Sequence, residues 1–300
     1  MSSPRRIATV FGATGQQGGS VVDALLADGI FTPRAVTRDA NSAAARALEA
    51  RGCEVVEANT ADKEAVRRAV EGAECVTVPF TPVPELQQGR NMVDASKEAG
   101  VKFFVWSSLP SIKEISGGKY TQVQHFEDKA AVEKYLKASG VPNASIMTGF
   151  FVENFLSTMP LKPTRTGYHI DTPSSLTATN TVCWIGKEMG SAVAALMSNY
   201  TDKLDELNGQ NYILGHGRAT LEEIVAEISK ALGQPVTIKQ VGKLGFPALD
   251  EMFDFNAEYD RYAGKACPDP RLLALGAEVG TVTEFTEKAL KPFLEKKGAQ

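Results

Sequence analysis

The chain has 300 residues, 43% of them hydrophobic, enough to bury one large domain or two intimate ones. Glycine and proline stand near ordinary usage, so a folded chain is expected almost throughout. A net charge of −4 and a pI of about 5.6 leave no basic footprint for releasing counterions, which argues against direct nucleic-acid binding.

From Arg6 the chain alternates short apolar runs with helical patterns. The strand RIATVF (6–11) precedes the helix GGSVVDALLADG (18–29) and the strand PRAVTR (33–38). Next come the helix ARALEARG (45–52), the strand CEVVEA (53–58), the helix KEAVRRAVEG (63–72) and the strand CVTVPF (75–80). The helix GRNMVDASKEAG (89–100), the strand VKFFVWSS (101–108), the helix VQHFEDKAAVEKYLKASG (123–140) and the strand ASIMTG (144–149) continue the alternation. Strands apolar throughout, separated by helices, predict a parallel sheet covered on both faces. Right-handed crossovers make that a doubly wound Rossmann sheet. Gly29, Gly52, Gly72, Gly100 and Gly140 stand where the helices should stop.

Beyond residue 150 the alternation fades into an aromatic, proline-rich stretch over 148–180. VCWIGKEMGSAVAALMSN (182–199) and LEEIVAEISKALG (221–233) read as amphipathic helices, NYILG (211–215) and PVTIKQV (235–241) as strands. The expectation is an α/β protein. A nucleotide-binding Rossmann domain occupies 1–150 with a contribution from about 176–215, and a smaller interleaved α+β lobe occupies 151–300.

The first strand ends in GATGQQG, with Gly12, Gly15 and Gly18 at three-residue spacing before a helix. In a strand-to-helix turn that receives a dinucleotide, one glycine makes the turn, one admits the pyrophosphate and one lets helix and strand pack closely. The phosphates then meet unpaired N–H groups at the helix N-terminus. The second strand ends in VTRD, so Arg38 stands where an arginine suits a 2′-phosphate and favours NADP. Asp39, an acid that would suit NAD, serves equally as a cap for the helix beginning near Asn41.

Reductases of this architecture place a tyrosine four residues before a lysine, which lowers the phenol pKa for proton transfer. Lys129 is present, but His125 occupies the tyrosine position. Ser107 and Ser108 follow the fifth strand, and Tyr120 lies on the preceding loop. If the chain is an enzyme, Lys129, His125 and Ser108 are its catalytic candidates; whether it is one stays open at this point. Cys53, Cys75, Cys183 and Cys267 form no C-x-x-C pair, and no apolar signal segment follows MSSPRR, so a reduced intracellular protein is expected. A cytoplasmic place follows from that reading, with a nuclear one left open. No run is long and apolar enough for a membrane span, and His125, His169 and His216 lack metal-ligand spacing, so neither a membrane nor a metal is expected.

The runs VFGATGQQGGSVV, VTRD, QGRNMVDASKEAGVKFFVWSSL, HFEDKAAVEKYL and GFFVENF together resemble the NmrA-like family of atypical short-chain dehydrogenases. SIKEISGGKY with HFEDK, and KLGFPALDEMFDF, are similar to its NADP(H)-sensing redox-sensor members. The resemblance implies that the pyrophosphate sits on Gly12, Ala13, Thr14, Gly15, Gln16, Gln17 and Gly18, that Arg38 meets the 2′-phosphate, and that Asn59 and Thr60 lie near the adenine. It further implies that Phe80 and Thr81 line the ribose and nicotinamide side, that Lys129 bonds the nicotinamide ribose, and that Phe151, Val152, Glu153 and Asn154 cover the nicotinamide. Arg90 stands where the sensors more often carry lysine. Phe150 and Phe155 read equally as core. On this resemblance the chain is an NADP(H) redox sensor that changes its binding to a regulatory protein partner, with KEISGGKYTQ (113–122) as the switch. The alternative is an NADPH-dependent reductase of a small apolar carbonyl, quinone or enone. Monomer and homodimer are both open.

Overall fold

In the computed structural model, residues 6–78 and 85–298 are described. Six strands alternate with helices in the first half: β1 (Ile7–Phe11), β2 (Thr32–Thr37), β3 (Glu54–Glu57), β4 (Cys75–Val78), β5 (Phe103–Ser108) and β6 (Asn143–Met147). The intervening helices are α1 (Gln16–Asp28), α2 (Ala43–Ala50), α3 (Lys63–Val70), α4 (Glu85–Glu98), α5 (Ile112–Ile115) and α6 (Gln124–Ser139). The chain then runs through β7 (Phe150–Phe151), a 3-10 turn at Val152–Leu156, β8 (Lys162–Pro163), β9 (Tyr168–Thr172), β10 (Asn180–Cys183) and the long α7 (Ile185–Leu207). It returns as β11 (Gln210–Ile213), which pairs in parallel with β6. The seven-stranded sheet has the order β11-β6-β5-β4-β1-β2-β3 and all its pairs are parallel, a doubly wound Rossmann sheet with a seventh strand at its edge.

The pleat of β5 explains why its whole run is apolar. Phe103 and Val105 join the core under α1 and α7, whereas Phe104 and Trp106 join the core under α3, α4 and α6. Each fully buried side chain of this size contributes about 1.5–3 kcal/mol of transfer free energy. All five glycines expected to end helices have positive φ. The fourth helix begins at Glu85, before the apolar pattern that marks it from Gly89.

The remaining elements are β12 (Gly217–Ala219), α8 (Leu221–Leu232), β13 (Val236–Gln240), α9 (Pro247–Glu258), α10 (Pro270–Ala274), α11 (Val282–Phe285), a π-helical turn at Thr286–Leu290 and α12 (Lys291–Gly298). Two three-stranded sheets, β12-β10-β7 and β13-β9-β8, share a third core that includes Phe155, Ile170, Ile224 and Phe285. A small fourth cluster of Leu109, Ile112, Tyr120, Val123, Phe126 and Phe255 lies between α9 and the segment joining α5 to α6. Among the described residues no helix is long and apolar enough to cross a membrane.

Candidate functional site

A cavity of about 720 Å³ opens where β1 turns into α1 and is bounded by the end of β2, by Thr60 and by Phe151. Its floor is the glycine turn. Gly12 has φ 63°, which only glycine adopts freely, and its carbonyl accepts from the Gly15 N–H at 2.9 Å. A Cβ on Gly18 would stand 2.2 Å from that same carbonyl oxygen, so strand and helix approach as closely as backbone allows. Ala13 is buried behind the turn, while Thr14 and Gln16 are exposed along the cavity wall.

The start of α1 differs from that of its neighbours. Ser42, Asp62 and Thr220 cap α2, α3 and α8 through their side chains, but α1 starts at Gly15 with no side-chain cap and no acid in its first turn. Its leading N–H groups and the positive end of its dipole are therefore open to an anion. Gln17 also lines the cavity, and its buried Oε1 accepts from Ser107 Oγ at 2.9 Å and ties α1 to β5.

Two arginines leave β2 with different commitments. Arg34 donates to the carbonyls of Ala69 and Glu71 and pairs with Glu54. Arg38 lines the cavity, is exposed, and makes no hydrogen bond or ion pair with the described residues. The cap that Asp39 could have supplied falls to Ser42, whose Oγ accepts from the Ala45 N–H at 3.2 Å, while Asp39 accepts from the Asn41 N–H at 2.8 Å. Thr60 lies on the cavity wall and donates to Gln88 Oε1 at 2.5 Å. Asn59 is exposed beside it and folds its Oδ1 onto the Ala61 N–H at 3.0 Å.

The proton-handling candidates gather on α6 and β5. Lys129 Nζ is buried and lies 2.5 Å from Glu85 Oε1 and 5.4 Å from the centre of the Trp106 ring. Burial pushes the Lys129 pKa down, against the opposing pull of Glu85. His125, one turn earlier, is half-buried and also shifted down, first by burial and then by Lys129 and Arg261. Ser108 ends β5 fully buried, its Oγ without a partner among the described residues. Tyr120 is a packed loop aromatic, donating to Glu258 Oε1 at 2.9 Å with its ring edge-on to Phe255. Arg90 is exposed on α4 with its guanidinium 5.3 Å from the centre of the Tyr135 ring, and is not part of the cavity wall. Phe80 and Thr81 lie outside the described residues.

The GFFVENF run divides its labour. Phe151 reaches the cavity, Val152 is buried in the third core, and Phe150 and Phe155 pack there with ring centres 5.7 Å apart. Glu153 caps α7, accepting from the N–H groups of Ile185 (3.2 Å) and Gly186 (2.7 Å), where the local start of that helix supplies no cap. Burial raises the Glu153 pKa, opposed by those amides and by the side chain of Gln16. The Asn154 carbonyl accepts from Ser157 and Met159 and closes the turn. Sequence spacing carries no sign of the Glu85–Lys129 pair or of the Glu153 cap, since their partners lie 44 and more than 30 residues apart.

A profile of the NmrA-like family matches residues 4–267. The chain belongs to the NmrA-like family. An NmrA-like family domain-containing oxidoreductase of Penicillium ochrochloron is 34% identical over 169 residues, 52% of this chain and 50% of that protein. Another, of a Cladobotryum species, is 37% identical over 163 residues, 50% of this chain and 48% of that protein. The chain thus spans about half the length of the curated relatives it matches. Among solved structures, NmrA, a negative transcriptional regulator, in complex with NADP superposes with a TM-score of 0.82 at 20% identity, covering 99% of this chain and 98% of that one. An NADPH-dependent quinone oxidoreductase from Escherichia coli superposes at 0.72 and 23%, covering 95% and 99%. At such identities the likeness shows the fold, and the NmrA-like fold is shared with both a regulator and a reductase.

Proposed function

We propose that this NmrA-like chain binds NADP(H) and acts as a redox sensor, its affinity for a protein partner changing with cofactor state. The observation that carries the binding reading is the pairing of an uncapped, glycine-floored α1 N-terminus with an uncommitted Arg38 at the end of β2. The residues fit a dinucleotide: the turn admits a pyrophosphate, the helix start supplies N–H donors, and the Arg38 fork matches a 2′-phosphate. NADPH, when bound, supplies a hydride donor; the question is whether the chain adds a proton donor. The tyrosine position holds a His125 whose pKa is lowered, and Tyr120 is engaged by Glu258. These features support sensing over turnover.

A second reading, reduction of a small apolar carbonyl, quinone or enone, is favoured by the names of the oxidoreductase relatives and by the unpartnered Ser108 Oγ. Titration calorimetry with NADPH, NADP and NADH, followed by NADPH oxidation on a quinone and carbonyl panel, separates the two. Arg38→Ala is expected to weaken NADP(H) binding by about 10- to 100-fold, a total loss of about 1.5–3 kcal/mol from its charge-assisted contact, while leaving NADH nearly unchanged. Turnover abolished by Lys129→Ala would replace the sensor with a reductase. Absence of any dinucleotide binding would remove both readings.

A further inference from the structure

We propose that the site takes a second ligand bearing a carboxylate beside the cofactor, and that Arg261 recognises that carboxylate. The inference deepens the binding reading above and rests on it for the identity of the neighbour.

Arg261 follows α9 by three residues and is half-buried. A guanidinium carries five N–H donors and does not give up its proton. Here one nitrogen donates to the neutral Asn256 Oδ1 at 2.8 Å, and the flat face packs 5.2 Å from the centre of the Phe126 ring. No carboxylate among the described residues lies within ion-pair distance. The acid next to it in sequence, Asp260, is already taken: its Oδ1 accepts from Arg218 Nη2 at 2.7 Å and from the Tyr262 N–H at 3.0 Å.

Neighbouring contacts fix where this fork stands. Tyr262 is buried and donates its hydroxyl to the Thr148 carbonyl at 2.7 Å, immediately beyond β6. Phe126 lies on the first turn of α6, beside His125, and the charge of Arg261 reaches His125 strongly enough to lower its pKa. Arg261 therefore stands over the C-terminal ends of the strands, the edge at which open α/β sheets take ligands. The unpartnered Ser108 Oγ ends the adjacent strand.

A cation drawn into a protein without a counter-charge is unfavourable, and arginine cannot escape by deprotonating. A planar carboxylate accepting two parallel N–H bonds supplies the missing charge with the geometry the fork presents. The anion has two sources: a small carboxylate, which we assign, or the phosphates of the dinucleotide.

Benzoate and benzamide are matched in shape and differ in charge, so the test measures both by ligand-observed NMR titration on the full chain, with and without saturating NADP. Benzoate is expected to bind at least tenfold tighter than benzamide. Arg261→Met should erase that preference while leaving NADP affinity and Tm close to the parent, and Arg261→Lys should retain part of it. Equal binding of the two probes to the parent protein would overturn the proposal, as would a preference that survives Arg261→Met. An Arg261→Met variant that folds but loses NADP affinity severalfold would assign the fork to the cofactor phosphates and overturn it too. Should Arg261→Met fail to fold, the parent comparison and Arg261→Lys decide. Failure of NADP to bind would sink the cofactor reading alone, because the probe pair is also read on the free protein.

Discussion

At the scale of single residues, the site is a set of charges moved from their ordinary values by burial. His125 and Glu153 move in opposite senses. For His125 the folded pKa lies below the ordinary 6.5, with burial the leading cause, so the folded state holds fewer protons than the unfolded chain just below that pH. Linkage then makes stability fall as pH drops from about 6.5 towards the lowered value, and the loss is complete only below both values. The charged groups facing the ring are Lys129 and Arg261, which push its pKa further down, and Asp128, which opposes them less than burial lowers it. His125→Asn should therefore lose less stability than the parent between neutral pH and the acid side of 6.5. Urea denaturation at stepped pH values reads the difference; parallel curves for the two proteins would mean that His125 is not buried as a neutral ring.

At the scale of elements, the candidate site depends on how α1 meets α7. Ser20 Oγ donates to the Gly186 carbonyl at 3.1 Å and accepts from the Gly190 N–H at 2.9 Å, so one hydroxyl bridges the two helices. A Cβ at position 190 would stand 2.0 Å from the Ser20 carbonyl oxygen, which is backbone and cannot swing away. Gly190→Ala gains about 1 kcal/mol of helix propensity. The forced separation outweighs that gain, since overpacking costs about 1–3 kcal/mol and here displaces two helices. The variant should be less stable than the parent, and because α1 carries the glycine turn proposed to take the pyrophosphate, its NADP affinity should fall with it. Differential scanning calorimetry and the NADP titration check both; a Tm at or above that of the parent would contradict the packing argument. The same elements show what was legible from sequence. GATGQQG, Arg38 and Thr60 stand together because each lies at the end of a strand whose apolar run is visible locally. The cap on α7 was not legible, because Glu153 reaches Ile185 and Gly186 from another segment. Likewise Glu85 meets Lys129 only after α4 and α6 have packed.

At the scale of the whole molecule, the alternation of apolar runs and helices was enough to place the first six strands in one doubly wound parallel sheet, since right-handed crossovers leave few alternatives. The small sheets were not legible: β7 and β8 are two residues long, and a two-residue strand has no period to read. Nor was the docking of α9, which is held by tertiary contacts alone. Phe255 is fully buried in the small cluster with Tyr120 and Phe126. Glu251 accepts from the N–H groups of Thr121 and Gln122 at 2.8 and 2.7 Å, and Glu258 takes Lys119 and Tyr120. The 113–122 stretch, expected to be the switch, is thus clasped by α9, and the segment leaving α9 carries Arg261. This cluster is separate from the cores that flank the sheet, so its opening would not by itself require the sheet to unfold. Phe255→Ala removes its central ring, a change that costs about 3–5 kcal/mol in a core that cannot collapse. If the cost is met by local undocking, amide exchange across 113–122 and α9 should speed up while β1, β4 and β5 keep the protection of the parent. Hydrogen-exchange mass spectrometry reads each segment separately. Uniform loss of protection across sheet and clasp would mean that α9 is an integral part of the main fold, and the 113–122 stretch could then not act as a switch independent of it.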